Sequence, residues 1–135
     1  MIVGIGIDLV DVDRIRRETE RHGYGVLTEI LTPAELEYCR ALAKPFPSMA
    51  ARFAAKEALY KALGSGKRGA MSWQELEVRK DDLGKPDLVL TGATAEAVRE
   101  LTADRVHLSL THTEGYALAA VVLERTESDG YSRSI

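Results

Sequence analysis

Residues 49–66 read MAARFAAKEALYKALGSG, and the way this stretch folds decides what the rest of the chain must pack against. Alanine is the strongest helix former, and Gly64 and Gly66 follow as terminators. The residues predict a helix that Ser48 caps and Gly64 ends, entered through the chain-breaking KPFP at 44–47. Met49, Phe53, Lys56, Tyr60 and Leu63 spread over one side. Ala51, Ala55, Ala58 and Ala62 form a separate strip, small enough to admit close contact with another backbone. Four charges nevertheless stand in mid-helix, where a buried charge costs several kcal/mol unless it is paired. Arg52 and Lys56 share one sector. Glu57 and Lys61 share another, beside Ala50 and Ala54. On a solvated face a Glu-to-Lys i,i+4 pair contributes only ~0.2–0.5 kcal/mol. The alternative is that the pair lines a site.

Working outward toward the N-terminus, IVGIGIDL (2–9) alternates as a strand. Val3, Ile5, Ile7 and Leu9 make an apolar face that we expect to be buried. Gly4, Gly6 and Asp8 make the other face. Glycine weakens a strand, so two of them on one face imply that a backbone or a ligand comes close there. Asp8 emerges at the end of that cleared face. DVDRIRRETERHG (11–23) then predicts a helix with Asp11 or Asp13 at its N-cap and Gly23 as terminator. Val12, Ile15 and Thr19 face the core, while Arg14, Arg17 and Arg21 fall in one narrow stripe. Thr32-Pro33-Ala34-Glu35 is a capping box with proline at the first helical position, opening a helix to about Ala43.

Toward the C-terminus, WQELEVRK and PDLVLTG flank DDLGK, which predicts a hairpin. Residues 94–103 suit a short helix. RVHLSLT alternates, with Val106, Leu108 and Leu110 opposite His107, Ser109 and Thr111. YALAAVVLE reads as a more buried final strand. The tail from 126 to 135 lacks periodicity and apolar content, and disorder is expected there. The expected architecture is α+β, a single domain over 1–125 with helices packed on a mainly antiparallel sheet.

Composition narrows the classes of function. With 135 residues, 45% apolar and 29% charged, the chain has the balance of a globular domain. A net charge of −3 argues against general nucleic-acid binding. Cys39 is the single cysteine, so neither an internal disulfide nor a thiolate metal cluster can form. No apolar run approaches the ~20 residues of a membrane span, and no cleavable leader is visible. A cytoplasmic protein is expected.

Asp8 and Glu57 offer two carboxylates from separate elements. Two carboxylates with waters and substrate phosphates are how proteins commonly hold Mg²⁺, and a lysine one turn away can neutralise a pyrophosphate leaving group. Spacing alone does not license the inference that they meet. Here the sequence resembles a known family. GIGIDLVDVDRI, RFAAKEALYKALGSG, SWQELEVRKDDLGKPDLVLTG and HLSLTHTEGYALAAVVLE, in that order from Ile2 to Glu124, resemble the bacterial holo-[acyl-carrier-protein] synthases. These are the short, trimeric class of 4′-phosphopantetheinyl transferases.

The resemblance implies that fold and a reaction: transfer of 4′-phosphopantetheine from coenzyme A to a serine of apo acyl carrier protein, releasing adenosine 3′,5′-bisphosphate. It implies that Asp8 and Glu57 bind Mg²⁺ and that Lys61 meets phosphate oxygens. His112, Gly64 and Gly66 are implied coenzyme contacts, with Lys67 or Arg68 near the 3′-phosphate. It implies that the acidic carrier docks along the first helix at Arg14; Arg17 and Arg21 extend that surface by the helical wheel. A homotrimer with sites between subunits follows in the same way. The acceptor of the serine proton stays open among Glu57 through a bound water, His112 and bulk water. Two rivals stand beside this reading. A Mg²⁺-dependent nucleotide pyrophosphohydrolase would gather several glutamates on one helix, and this helix has only Glu57. A noncatalytic docking domain would leave Asp8, Glu57 and Lys61 without a purpose.

Overall fold

The computed structural model describes residues 1–127. Its organising contact lies between strand β1 (Ile2–Asp11) and an 18-residue helix, Pro45–Ala62. A Cβ built on Gly6 would overlap the carbonyl oxygen of Ala58, and one on Gly4 the carbonyl oxygen of Ala62. The two glycines and the alanine strip are therefore two halves of one device. Bare backbone on the strand meets methyl-only side chains on the helix, so the two axes approach more closely than larger side chains permit. Ala51, Ala55, Ala58 and Ala62 are all buried.

This packing reverses one expectation. The helix takes the glycine face, because only there can backbone meet backbone. Beyond Val3, which packs partly against the core, the branched face is turned outward, with Ile5 65%, Ile7 58% and Leu9 61% exposed.

In chain order, β1 is followed by helix α1 (Val12–His22), helix α2 (Gly25–Ile30), helix α3 (Pro33–Arg40) and the long helix, α4. A 3₁₀ turn (Trp73–Glu75) leads into the hairpin of β2 (Leu76–Lys80) and β3 (Pro86–Leu90). Helix α5 (Gly92–Glu100) and strands β4 (Arg105–His112) and β5 (Tyr116–Glu124) complete the order. β5 lies between β1 and β4, antiparallel to both, and β2 and β3 form a separate two-stranded sheet. Gly6 pairs with Val121, which pairs in turn with Leu108. Val121 and Leu123 are fully buried beneath α4, each such side chain contributing ~1.5–3 kcal/mol. The architecture is α+β, as the sequence implies.

Local signals explain most boundaries. Asp11 caps α1 by accepting from the Asp13 N–H at 3.0 Å, and Gly23 ends that helix with a φ of 74°. Thr32 and Glu35 form the expected capping box. Asp81 closes the hairpin turn by accepting from the Leu83 and Lys85 N–H groups. Other boundaries differ. α3 ends at Arg40 rather than near Ala43, and α5 spans 92–100 rather than 94–103. Ser48 is not a cap: α4 begins at Pro45 after Lys44, because proline in a first turn lacks only an N–H that the helix does not use. α2 carried no sequence expectation. Of the expected tail, residues 128–135 lie outside the described residues, while Thr126 is held by the Asp104 carboxylate.

Candidate active site

The close seating of β1 on α4 carries Asp8, at the end of the glycine face, to the sector of α4 that presents Glu57 and Lys61. The Lys61 ammonium donates to Asp8 Oδ1 at 2.8 Å and to the Ile7 carbonyl at 3.2 Å. These three side chains line one end of a cavity of about 600 Å³ between β1, α1, α2 and α4. The Asp8 side chain is 14% exposed and that of Lys61 54%, so the carboxylate sits in the wall and the ammonium reaches into solvent.

Two carboxylates and one ammonium share this end of the cavity. Burial raises the Glu57 carboxyl above its ordinary range; the Asp8 carboxylate raises it further, against a smaller opposing effect of Lys61. The hydrogen bond to Asp8, and then its charge, raise the Lys61 ammonium. Around the cavity Asp8, Asp11, Glu18 and Glu57 outnumber Arg14 and Lys61. Among the described residues no group of three or more His, Cys, Asp or Glu is gathered as a metal cage. A pair of carboxylates without soft ligands suits Mg²⁺ completed by water and phosphate oxygens, and does not suit zinc.

The far end of the cavity is apolar. Phe53, Ile15 and the α2 residues Val26, Leu27 and Ile30 line it there, and Arg14 and Glu18 of α1 line the cavity with them. Glu18 and the α2 wall were not anticipated. Leu27 and Ile30 are spaced i,i+3, but six residues are too few for a periodic signal.

Of the other residues expected to contact coenzyme A or the carrier, Arg14 alone lines this cavity. Arg17 lies 3.4 Å from Asp13, and Arg21 is exposed outside the cavity. Gly64 and Gly66 form the turn after α4 with φ of 80° and 71°, in open space. His112 is exposed at the end of β4, opposite Ala117. Neither that turn nor His112 lines the cavity. Lys67 stacks over the Trp73 ring at 5.6 Å.

The remaining charges of α4 are structural. Lys56 is fully buried and donates to Glu35 Oε1 at 2.6 Å, the Ile30 carbonyl at 2.7 Å and the Trp73 carbonyl at 3.0 Å. Burial lowers its pKa, with the Glu35 charge opposing. Arg52 donates to Ser48 Oγ and stands over the Tyr38 ring at 4.6 Å. Thus α4 has two charged sectors of opposite use: Arg52 and Lys56 tie the interior, while Glu57 and Lys61 open to the cavity.

Comparison with known proteins gives one family throughout. The sequence profile of the 4′-phosphopantetheinyl transferase superfamily matches residues 4–121. The chain is 47% identical over 124 residues to a holo-[acyl-carrier-protein] synthase of Koribacter versatilis, covering 92% of this chain and 99% of that protein. The crystal structure of holo-[acyl-carrier-protein] synthase from Neisseria meningitidis superposes with a TM-score of 0.85 at 42% identity, covering 93% of this chain and 100% of that one. A Bacillus anthracis holo-(acyl-carrier-protein) synthase in complex with CoA (3′,5′-ADP) gives a TM-score of 0.77 at 38% identity, over 93% and 99%.

Proposed function

The chain belongs to the 4′-phosphopantetheinyl transferase superfamily, and we propose that it moves 4′-phosphopantetheine from coenzyme A to a serine of apo acyl carrier protein on a Mg²⁺ site formed by Asp8 and Glu57. The observation that carries the proposal is the meeting of Asp8, Glu57 and Lys61 at one end of a cavity whose other end is apolar.

In this reaction the serine oxygen attacks the phosphorus that bears pantetheine. The bond from that phosphorus to the bridging oxygen breaks, and adenosine 3′,5′-bisphosphate leaves with the bond electrons. The serine proton is lost. Phosphoryl transfer of this kind depends mainly on positioning and charge neutralisation. Bound by the two carboxylates, Mg²⁺ would neutralise the pyrophosphate oxygens. Lys61 is long and exposed enough to exchange Asp8 for a phosphate oxygen, meeting the charge that develops on the leaving group. Arg14, which lines the same cavity, would attract the acidic carrier to it.

The finer assignments rest on the family resemblance together with features of this chain. His112, Gly64 and Gly66 lie outside the cavity, and contact with coenzyme A from those positions is reasonable where a neighbouring subunit completes the site. A homotrimer is supported by the outward apolar face of β1, since soluble monomers seldom expose large contiguous apolar patches. A cytoplasmic location agrees with a free, buried Cys39. No helix among the described residues is long and apolar enough to cross a membrane.

The test is direct. The protein is incubated with coenzyme A, Mg²⁺ and an apo carrier protein, and the carrier is weighed by mass spectrometry. Addition of one phosphopantetheine, abolished by chelator and restored by excess Mg²⁺, is the expected result. An unmodified carrier, or coenzyme A hydrolysed without transfer, overturns the proposal.

A further inference from the structure

Helix α2 supplies the apolar wall of the cavity through Val26, Leu27 and Ile30, yet by itself it has little to hold it. It has six residues and no side-chain N-cap. Isolated helices of that length are unstable, because nucleation outweighs the few hydrogen bonds gained. Its C-terminal end is held differently. The Gln74 amide donates to the carbonyls of Thr28 at 2.9 Å, Glu29 at 3.1 Å and Leu31 at 2.7 Å, its two protons shared among three acceptors. The carbonyl between them, Ile30, accepts from Lys56 at 2.7 Å. Four consecutive carbonyls, the ones a helix end leaves unsatisfied, are thus taken by two side chains from elsewhere in the chain.

The origin of these two side chains gives the arrangement its meaning. Lys56 is the neighbour of Glu57 on α4. Gln74 follows Trp73, whose carbonyl accepts another Lys56 proton and whose ring packs edge-on at 5.4 Å against Phe53, a second wall residue. The C-terminal end of the wall is therefore tied by hydrogen bonds to the helix that carries Glu57 and to the 3₁₀ turn packed on it.

We propose that Gln74 and Lys56 are positioning residues that clamp α2 and so set the apolar end of the cavity against which the carrier's serine-bearing segment docks. The assignment to the carrier rests on the transferase reading above and on Arg14 of α1, a cation that lines this same cavity and suits an acidic partner. Coenzyme A and the metal belong to the other end, at Asp8, Glu57 and Lys61.

Gln74 is the residue to vary, because it is exposed and can be replaced without opening the core. Gln74→Met removes the donors at nearly constant shape, and Gln74→Glu turns an acceptor toward the carbonyls. Gln74→Lys restores donors and adds a charge that suits a helix C-terminus. Steady-state transfer is measured with carrier and coenzyme A varied separately, and amide hydrogen exchange is followed over residues 26–31. Methionine and glutamate are expected to raise the KM for carrier about fivefold or more, with kcat and the KM for coenzyme A held within about twofold. Exchange over α2 is expected to quicken in both variants, and lysine is expected to restore both readouts. An unchanged carrier KM, an equal rise in the KM for coenzyme A, or unaltered exchange over α2 overturns the proposal. If the wild-type protein transfers nothing, the transferase reading fails by itself and this account of the carrier site falls with it. The exchange measurement still reports whether Gln74 holds the helix.

Discussion

Asp8 and Glu57 are matched so that each leaves the other incompletely satisfied. Burial, and then the Asp8 carboxylate, raise the pKa of Glu57, and Lys61 bonds to Asp8 and to the Ile7 carbonyl but not to Glu57. A divalent cation held by the two carboxylates would remove that repulsion. Asp8→Asn and Glu57→Gln each delete one charge at almost constant volume. Each is expected to reduce transfer to near background while the far-UV circular dichroism stays that of the wild type. Most of the activity surviving at ordinary Mg²⁺ concentration would show that the altered residue is not a required ligand. Gly6 gives the contrasting structural case. Its added Cβ meets a carbonyl that helix hydrogen bonding holds in place, so neither partner can yield cheaply. Gly6→Ala is expected to lose at least the ~1–3 kcal/mol of ordinary overpacking, read as a lower urea midpoint. The close approach at Gly4 and Gly6 was legible in the sequence, because a missing side chain is a direct geometric signal. The meeting of Asp8 with Glu57 was not, since nothing local relates two residues so far apart in the chain; there the family resemblance supplied the pairing.

Secondary-structure elements with strong local chemistry were legible for the same reason. The Thr32–Glu35 capping box, the Asp11 cap and the Asp-Gly hairpin each close a hydrogen bond within a few residues, and each lies where the sequence put it. α2 escaped notice because what stabilises it lies on α4 and the 3₁₀ turn. The role of Lys56 was hidden in the same way: its partner, Glu35, also accepts from the Thr32 and Val78 N–H groups and so joins α3 and β2 to α4. Removing one member of such a pair leaves a buried charge alone. Lys56→Met is expected to destabilise by ~3–5 kcal/mol, measured by urea denaturation. Adding Glu35→Gln should recover part of that loss, because no bare carboxylate then remains in the core. If the double variant is as unstable as the sum of the two single ones, Lys56 and Glu35 are not coupled and the loss belongs to packing.

At the scale of the whole molecule, two surfaces are expected to meet partners, and they differ in how they are held. On α1, Arg16 is engaged by Asp13 and Glu20, and Arg17 lies near Asp13, whereas Arg14 lines the cavity. Arg14→Glu is therefore expected to raise the KM for carrier more than Arg16→Glu or Arg17→Glu does. Salt should weaken carrier recognition over the range in which the screening length shrinks below ~10 Å. The second surface is the outer face of the three-stranded sheet. There Ile5, Ile7 and Leu9 pair across the ladder with Val122, Ala120 and Leu118, while His107, Ser109 and Thr111 of β4 make the same face polar. The sequence showed these branched residues as a buried face, and the fold of one chain leaves them bare, because α4 had to take the glycine side. Both facts hold together if other copies of the chain bury what the single chain exposes. Ile7 is central to the stripe, so Ile7→Glu would place a charge in that contact, where desolvation costs several kcal/mol. Sedimentation equilibrium should then give the trimer mass for the wild type and a smaller mass for Ile7→Glu, and transfer should fall with the mass if sites lie between subunits. Leu83→Glu is the control, since Leu83 is 95% exposed at the hairpin turn, away from the stripe. Should Ile7→Glu keep the wild-type mass, the outward face of β1 is not what holds copies of this chain together.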